Sequence, residues 1–282
     1  MTFAVHISDG VLLPSWQLLG ALLAVGLLAY GVRRIGEDEV PRLGVMTAAF
    51  FVASQLHVPV GGVGSAHLLL NGLMAVVLGR RAMVAIGIGL TMQMLLFGHG
   101  GWNTLGVNFV VYTLPTLWLR PLLRAAVGSA TLRRPTVRFA LSFTAATLLL
   151  ATLTVTCQWA WCRFGLHESL PPVGGEWWLA WPAVPAVVVG VVAASSLLAA
   201  LERRLERDPI YPVGLWLGGG VAYFTVALNV LVLAFGGREG LRDVAGVVFL
   251  ANLPVIVLEA VAMGFVVAYL HRSKPEWLTP GG

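Results

Sequence analysis

Lysine is nearly absent: the 282 residues contain one, Lys274. A Walker A phosphate loop needs a lysine after its glycines, so none is present. A Schiff-base lysine within an apolar segment is excluded too. If ATP drives this protein, the ATPase is another chain. Charge of any sign is scarce. Only 11% of residues are charged, against 58% hydrophobic and a mean hydropathy of +0.85. Soluble domains carry about 25% charged residues, so the composition reads as an all-α, polytopic membrane protein. Cysteine is scarce as well. Cys157 and Cys162 lie five apart on one expected helix and point to different faces, which argues against a disulfide or a metal pair. The net charge of +5 raises the question of nucleic acid. The arginines, however, stand singly between apolar runs, where orientation in a bilayer explains them better.

Apolar runs come next. About 20 apolar residues span a bilayer core. Nine spans are expected near 12–32, 43–58, 67–79, 82–98, 104–120, 138–162, 178–201, 212–235 and 245–270. Turn-forming stretches such as "GEDEVPR", "GGVGSA", "GHGGWN" and "GGREGLRD" separate them. The start does not read as a typical secretory signal, because no positive residue precedes the first run while Arg33 and Arg34 follow it. That asymmetry predicts a retained first helix with its N-terminus outside. With nine spans in alternation, 15 basic residues fall inside and three, Arg163, Arg238 and Arg242, fall outside. The positive-inside rule then gives N-terminus out and C-terminus in. The same topology places His6, His57, His67, His99 and His167 at outward-facing ends, and only His271 inside. One such histidine is ordinarily an interfacial polar residue. Several on one face suggest a metal site, imidazole being the commonest metal ligand.

Four stretches carry candidate chemistry. "HISDG", His6–Gly10, is a polar tip before an apolar run. "VPVGGVGSAHLLLNGLMAVVLG", Val58 to Gly79, is rich in glycine, which permits tight turns and close backbone approach. The span after it has 13 residues and reaches only about 20 Å. Irregular backbone at membrane depth survives where protein buries it or a wet cavity faces it. The loop before His67 is therefore read as dipping into a pocket; a tight connection with an interfacial histidine is the alternative. "FGHGGWNTLGVN" places Asn103, Thr104 and Asn108 at the start of a span, either as helix caps or as hydrogen-bond partners behind a ligand. "NLPVIVLEAVAMG" holds Glu259 in mid-span. A carboxylate there costs roughly 2.5–3.5 kcal/mol on insertion scales, so a proton, a polar partner or a cavity must offset it. Its role is either structural or in transport.

Together these stretches resemble the CbiM/NikM family, the substrate-binding membrane component of nickel and cobalt energy-coupling factor (ECF) transporters. "HISDG" matches the family's N-terminal Met-His-Ile-x-(Asp/Glu)-Gly tip. "GGVGSAHLLLNGL" is similar to its Gly/Ser loop ending in His-Leu. "HGGWNTLGVN" fits (His/Asp)-Gly-Gly-x-Thr-x-Leu-Gly-x-Asn, and "NLPVIVLEAV" looks like its last span. The resemblance covers 6–123 and 211–270. It makes 1–282 one integral membrane domain with a seven-span core and 138–201 an inserted pair of spans.

The resemblance implies capture of Ni(2+) or Co(2+) as transported ligand at the outer face of the inner membrane. Implied partners are a scaffold transmembrane subunit and cytoplasmic ATPase subunits, with no enzymatic activity. His6 and His67 are the implied metal ligands. Asp9 would orient His6, and Ser65, His57, His99, Asn103 and Asn108 are possible further or supporting residues. Glu259 would serve intramembrane coupling. In the family the terminal amine joins the chelate, whereas "MTFAV" precedes His6 here. The expectation is that the competent chain is trimmed, or starts at Val5, just before His6. Two other readings remain open: a membrane redox subunit holding haem or copper through these histidines, and a solitary metal permease.

Overall fold

The computed structural model describes residues 3–4, 6–55, 57–60, 64–163, 210–238 and 241–278, with scattered positions between 189 and 200. The chain is a helical bundle with one small sheet. Its described helices are α1 (Pro14–Val32), α2 (Val40–Ala53), α3 (Asn71–Leu78), α4 (Ala82–Phe97), α5 (Leu105–Thr113), α6 (Leu119–Gly128), α7 (Pro135–Arg163), α8 (Tyr211–Gly236) and α9 (Leu241–Ser273). Between α2 and α3 the chain forms β2 (His57–Val60) and β3 (Gly64–His67), an antiparallel pair. β1 (Phe3–Ala4) lies parallel to β3 on its other edge.

Eight of the nine expected runs contain described helix; the run 178–201 lies outside the described residues except for scattered positions, as does His167. The side chains of Cys157 and Cys162 are likewise outside them. Five described stretches are long and apolar enough to cross a membrane: Pro14–Val32, Asn71–Phe97, Pro135–Thr152, Tyr211–Gly236 and Val248–Ser273. The second holds both α3 and α4. Asn71 sits deep in the bundle, Arg80 and Arg81 meet the end of α1, and Gly100 beyond α4 lies near His6. The chain therefore reverses near Gly79, whose φ of +59° suits glycine.

Two expected spans end differently. α2 stops at Ala53 instead of running to 58. Ser54 turns its hydroxyl onto the Phe51 carbonyl, and the chain beyond it is drawn into the hairpin with β3. The run 104–120 breaks at Pro115, which lacks an amide hydrogen. A 3-10 turn, Leu114–Thr116, separates α5 from α6 there.

Close helix packing fixes the frame. A Cβ on Gly106 would meet the Ala21 Cα at 2.7 Å, so α1 and α5 touch backbone to backbone. A Cβ on Gly214 would meet the Gly264 Cα at 2.8 Å, which seats α8 on α9. Small residues permit such contacts between helices in lipid, where packing replaces the hydrophobic effect as driving force. Leu18, Leu22 and Val25 of α1 are exposed on the bundle's exterior, as an apolar solvent allows.

One end of the bundle is an arginine end. Arg80 and Arg81 donate to the Arg33 and Arg34 carbonyls at the close of α1, where a helix favours positive charge. Arg42 lies 4.7 Å over the Trp277 ring. The opposite end carries His6–Gly10 and is the tip end of the bundle.

Candidate metal centre

The tip is built into the bundle by main-chain bonds. Ile7 is held on both faces of its peptide: its N–H donates to Asn108 Oδ1 at 2.9 Å, and its carbonyl accepts from Asn108 Nδ2 at 3.0 Å and Thr104 Oγ1 at 2.6 Å. Asn108 and Thr104 are both buried. Further along, Leu13 N–H donates to the Gly236 carbonyl at 2.8 Å and Arg238 N–H to the Val11 carbonyl at 3.0 Å. The start of the chain is thereby stitched to the turn between α8 and α9.

Asp9 is exposed. Its carboxylate accepts from the Trp102 and Asn103 amides, each at 2.9 Å. A Cβ on Gly101 would fall 2.2 Å from Asp9 Oδ1, so the loop needs glycine there. Asp9 thus pins the tip to the loop before α5. Asn103 contributes its backbone amide to that contact, and its side chain is exposed.

His67 ends β3 and is 1% exposed; His6 is 5% exposed. Their rings stack at 4.8 Å between centroids, 18° from parallel. Tyr112 of α5 extends the stack, 5.3 Å from His6 and 6.5 Å from His67. His67 Nδ1 lies 3.0 Å from the Leu68 carbonyl, and its Nε2 lies 3.3 Å from the Tyr112 hydroxyl. A carbonyl on Nδ1 places the proton there and leaves the Nε2 lone pair as donor. The two imidazoles thus meet inside the protein from positions far apart in the chain. Face-to-face rings at this separation leave no room for a porphyrin plane between them, which axial ligation by the pair would require.

The other candidates distribute unevenly. His57 lies directly opposite His67 in the β2–β3 register, and Ser65 pairs with Pro59 on one side and Ala4 on the other. His99 follows α4, its amide on the Gln93 carbonyl and its ring 6.0 Å from Phe97. Glu259 is 4% exposed. It accepts the Leu69 and Leu70 amides at 2.7 and 3.0 Å on one oxygen, which supplies the polar partner its position demands. Asn71, one residue on, donates to the Tyr112 carbonyl at 3.0 Å and the Thr225 hydroxyl at 2.7 Å. Sequence reasoning misses Tyr112, Asn71 and Thr225. Their only signal is a polar atom within an apolar run, and many such residues merely bond their own helix.

A helical bundle of membrane-spanning length with two buried imidazoles at one end defines a multi-pass membrane protein with a candidate site for a divalent ion. Similarity to known proteins narrows this. The family model described as "Cobalt uptake substrate-specific transmembrane region" (CbiM) matches residues 6–184 and 183–277. The chain belongs to this family. A relative in Haemophilus influenzae is 42% identical over 120 residues, 43% of this chain and 58% of its own length. The match therefore spans a little over half of that relative. The cobalt transport protein CbiM of Chlorobium limicola is 36% identical over 149 residues, covering 44% of this chain and 59% of that one. An Archaeoglobus fulgidus relative named for fused nickel transport, NikMN, is 28% identical over 264 residues, 89% of this chain and 85% of its own. A crystal structure of a truncated transition metal transporter shares the fold, with a TM-score of 0.52 and 19% identity over 95% of this chain and 98% of that one. These relatives are named for metal transport, not for enzymatic activities.

Proposed function

We propose that this chain captures Ni(2+) or Co(2+) at the outer face of the cell membrane and delivers it inward as the substrate-binding component of an ECF-type transporter. His6 and His67 are the metal ligands. The observation that carries this reading is the buried stack of the two imidazoles at 4.8 Å. Neutral imidazole suits both ions, and geometry rather than raw affinity must select between them. Small ring rotations bring one nitrogen of each histidine to the roughly 2 Å that first-row ions require. Asn108 and Thr104 hold the backbone just after His6 and so fix where its imidazole stands. A scaffold transmembrane subunit and cytoplasmic ATPase subunits supply the energy.

The tip end faces outward in this reading and the arginine end inward, in line with 15 basic residues against three. Nine spans, with 138–201 as a pair inserted into a core of 6–123 and 211–270, complete the topology. The membrane is the inner (plasma) membrane.

Calorimetry on purified protein tests the assignment. His67→Ala is expected to abolish tight Ni(II) and Co(II) binding while the helical content by circular dichroism stays unchanged. Unchanged affinity would refute the site.

A further inference from the structure

Glu259 stands in the longest described helix, α9, and its hydrogen bonds reach the site through the Leu69 and Leu70 amides. The segment it holds is short. His67 ends β3, Leu68–Leu70 turns, and Asn71 begins α3. Leu70 has φ +49°, in the left-handed region, a conformation that costs a side-chain-bearing residue energy and persists only where surroundings impose it. Glu259 Oε1 imposes it by gathering the two consecutive amides of Leu69 and Leu70. The Leu68 carbonyl, which shares its peptide group with the Leu69 amide, is the group 3.0 Å from His67 Nδ1. The chain of contact runs from the carboxylate to two amides, to the Leu68 carbonyl, to the imidazole.

The carboxylate itself cannot drift. A Cβ on Gly218 would meet Met263 Cβ at 2.3 Å and the Glu259 carbonyl at 3.0 Å, so α8 locks against α9 beside it. A Cβ on Gly72 would meet Met263 Cε at 2.8 Å, which seats α3 on the same stretch of α9. The tip with His6 is tied to the other end of this helix pair through Gly236 and Arg238. Both halves of the site therefore hang on α8 and α9, which contribute neither imidazole.

From this we infer that Glu259 is a positioning residue for metal binding: it sets the His67 imidazole by anchoring the Leu69 and Leu70 amides. The inference rests on the assignment of His67 as ligand. It requires an acceptor oxygen at the right reach, not a titrating proton or a bare charge.

Three variants separate these demands. Glu259→Gln keeps the reach without the charge, Glu259→Asp keeps the charge without the reach, and Glu259→Ala removes both. The readouts are Ni(II) affinity by calorimetry and the visible absorption of Co(II)-loaded protein, which reports ligand geometry. Groups that orient a ligating histidine are worth about 10–100-fold in affinity. The expected order is wild type, then Gln within about threefold, then Asp, then Ala at least about tenfold weaker, with altered Co(II) spectra for Asp and Ala. An order with Asp tighter than Gln would assign the effect to charge and overturn the inference, as would three variants with wild-type affinity and spectrum. If Glu259→Ala does not fold, the ranking of Gln against Asp decides alone. His67→Ala is measured in parallel. Unchanged binding there defeats the ligand assignment itself, whereas lost binding there with a flat Glu259 series defeats only the positioning role.

Discussion

Asp9 and Glu259 each gather a pair of amides in opposite surroundings, Asp9 with both its oxygens and Glu259 with one. Each carboxylate gathers two consecutive backbone amides, Trp102 and Asn103 for Asp9, Leu69 and Leu70 for Glu259. Each steadies a segment within three residues of an imidazole of the site. Asp9, however, is exposed, and Glu259 is 4% exposed. Amides released at the surface are taken up by water, so the net loss is about 1 kcal/mol. Amides released in the bundle find no substitute, and each orphaned group costs about 1–3 kcal/mol. A carboxylate that gathers two consecutive amides therefore carries different weight in the two places, and depth decides which anchor dominates.

The tip offers an internal version of this contrast, because it has a buried anchor and an exposed one. The largest effect is expected at the buried one. Asn108→Ala removes both bonds to Ile7 and should lower the thermal stability of detergent-solubilised protein by about 3 kcal/mol, with a parallel loss of metal affinity. A loss under about 1 kcal/mol would erase the distinction between the anchors. Asp9→Ala comes next. Its expected cost is about 1 kcal/mol, the size of a lost helix cap, and Asp9→Asn should restore only part of it, because its single oxygen can accept from one of the two amides while Nδ2 cannot accept from the other. Hydrogen exchange at Trp102 and Asn103 should accelerate in the alanine variant while exchange at Leu69 and Leu70 holds.

The smallest effect is expected at the arginine end, where a third carboxylate is paired in partial contact with solvent. Burial alone would raise the Glu39 carboxyl, but the Gly36 amide and the Arg81 guanidinium outweigh it and hold it below its usual range. A depressed folded value means that the pair stabilises above the unfolded value and fades as pH falls through the folded one. Glu39→Gln should cost about 0.5 kcal/mol or less at neutral pH. The gap between wild type and variant should stay level down to about pH 4.3 and close below it. A gap that widens on acidification contradicts the sign.

Legibility in the sequence obeys the same division by depth. α1, α4 and α8 fall within two residues of the runs expected at 12–32, 82–98 and 212–235, because an unbroken apolar run has few alternatives. The motifs place His6, His67 and Asn108 in one neighbourhood through family resemblance. The β2–β3 hairpin is not legible, since a Gly-rich stretch with one Pro59 gives no alternation to read. The break at Pro115 has its signal in the proline, overridden by the apolar residues around it. Asp9 and Glu259 stand out as chemical groups, yet both act on backbone amides. Side-chain identity does not announce such partners, because every residue but proline offers the same one.

The bonds from Glu259 to Leu69 and Leu70 cross 190 and 189 residues of chain. A ribosome adding 5–20 residues per second takes about 10–40 s to close that distance. Through that interval the turn after His67 lacks its anchor, and the tip lacks its tie to Gly236 for longer still. On the proposed assignment, biosynthesis defers the competent site until α9, the last described α-helix, has been inserted. On that assignment a chain arrested before α9 would carry both histidines yet hold the ion at least about tenfold more weakly, so tight capture waits on α9.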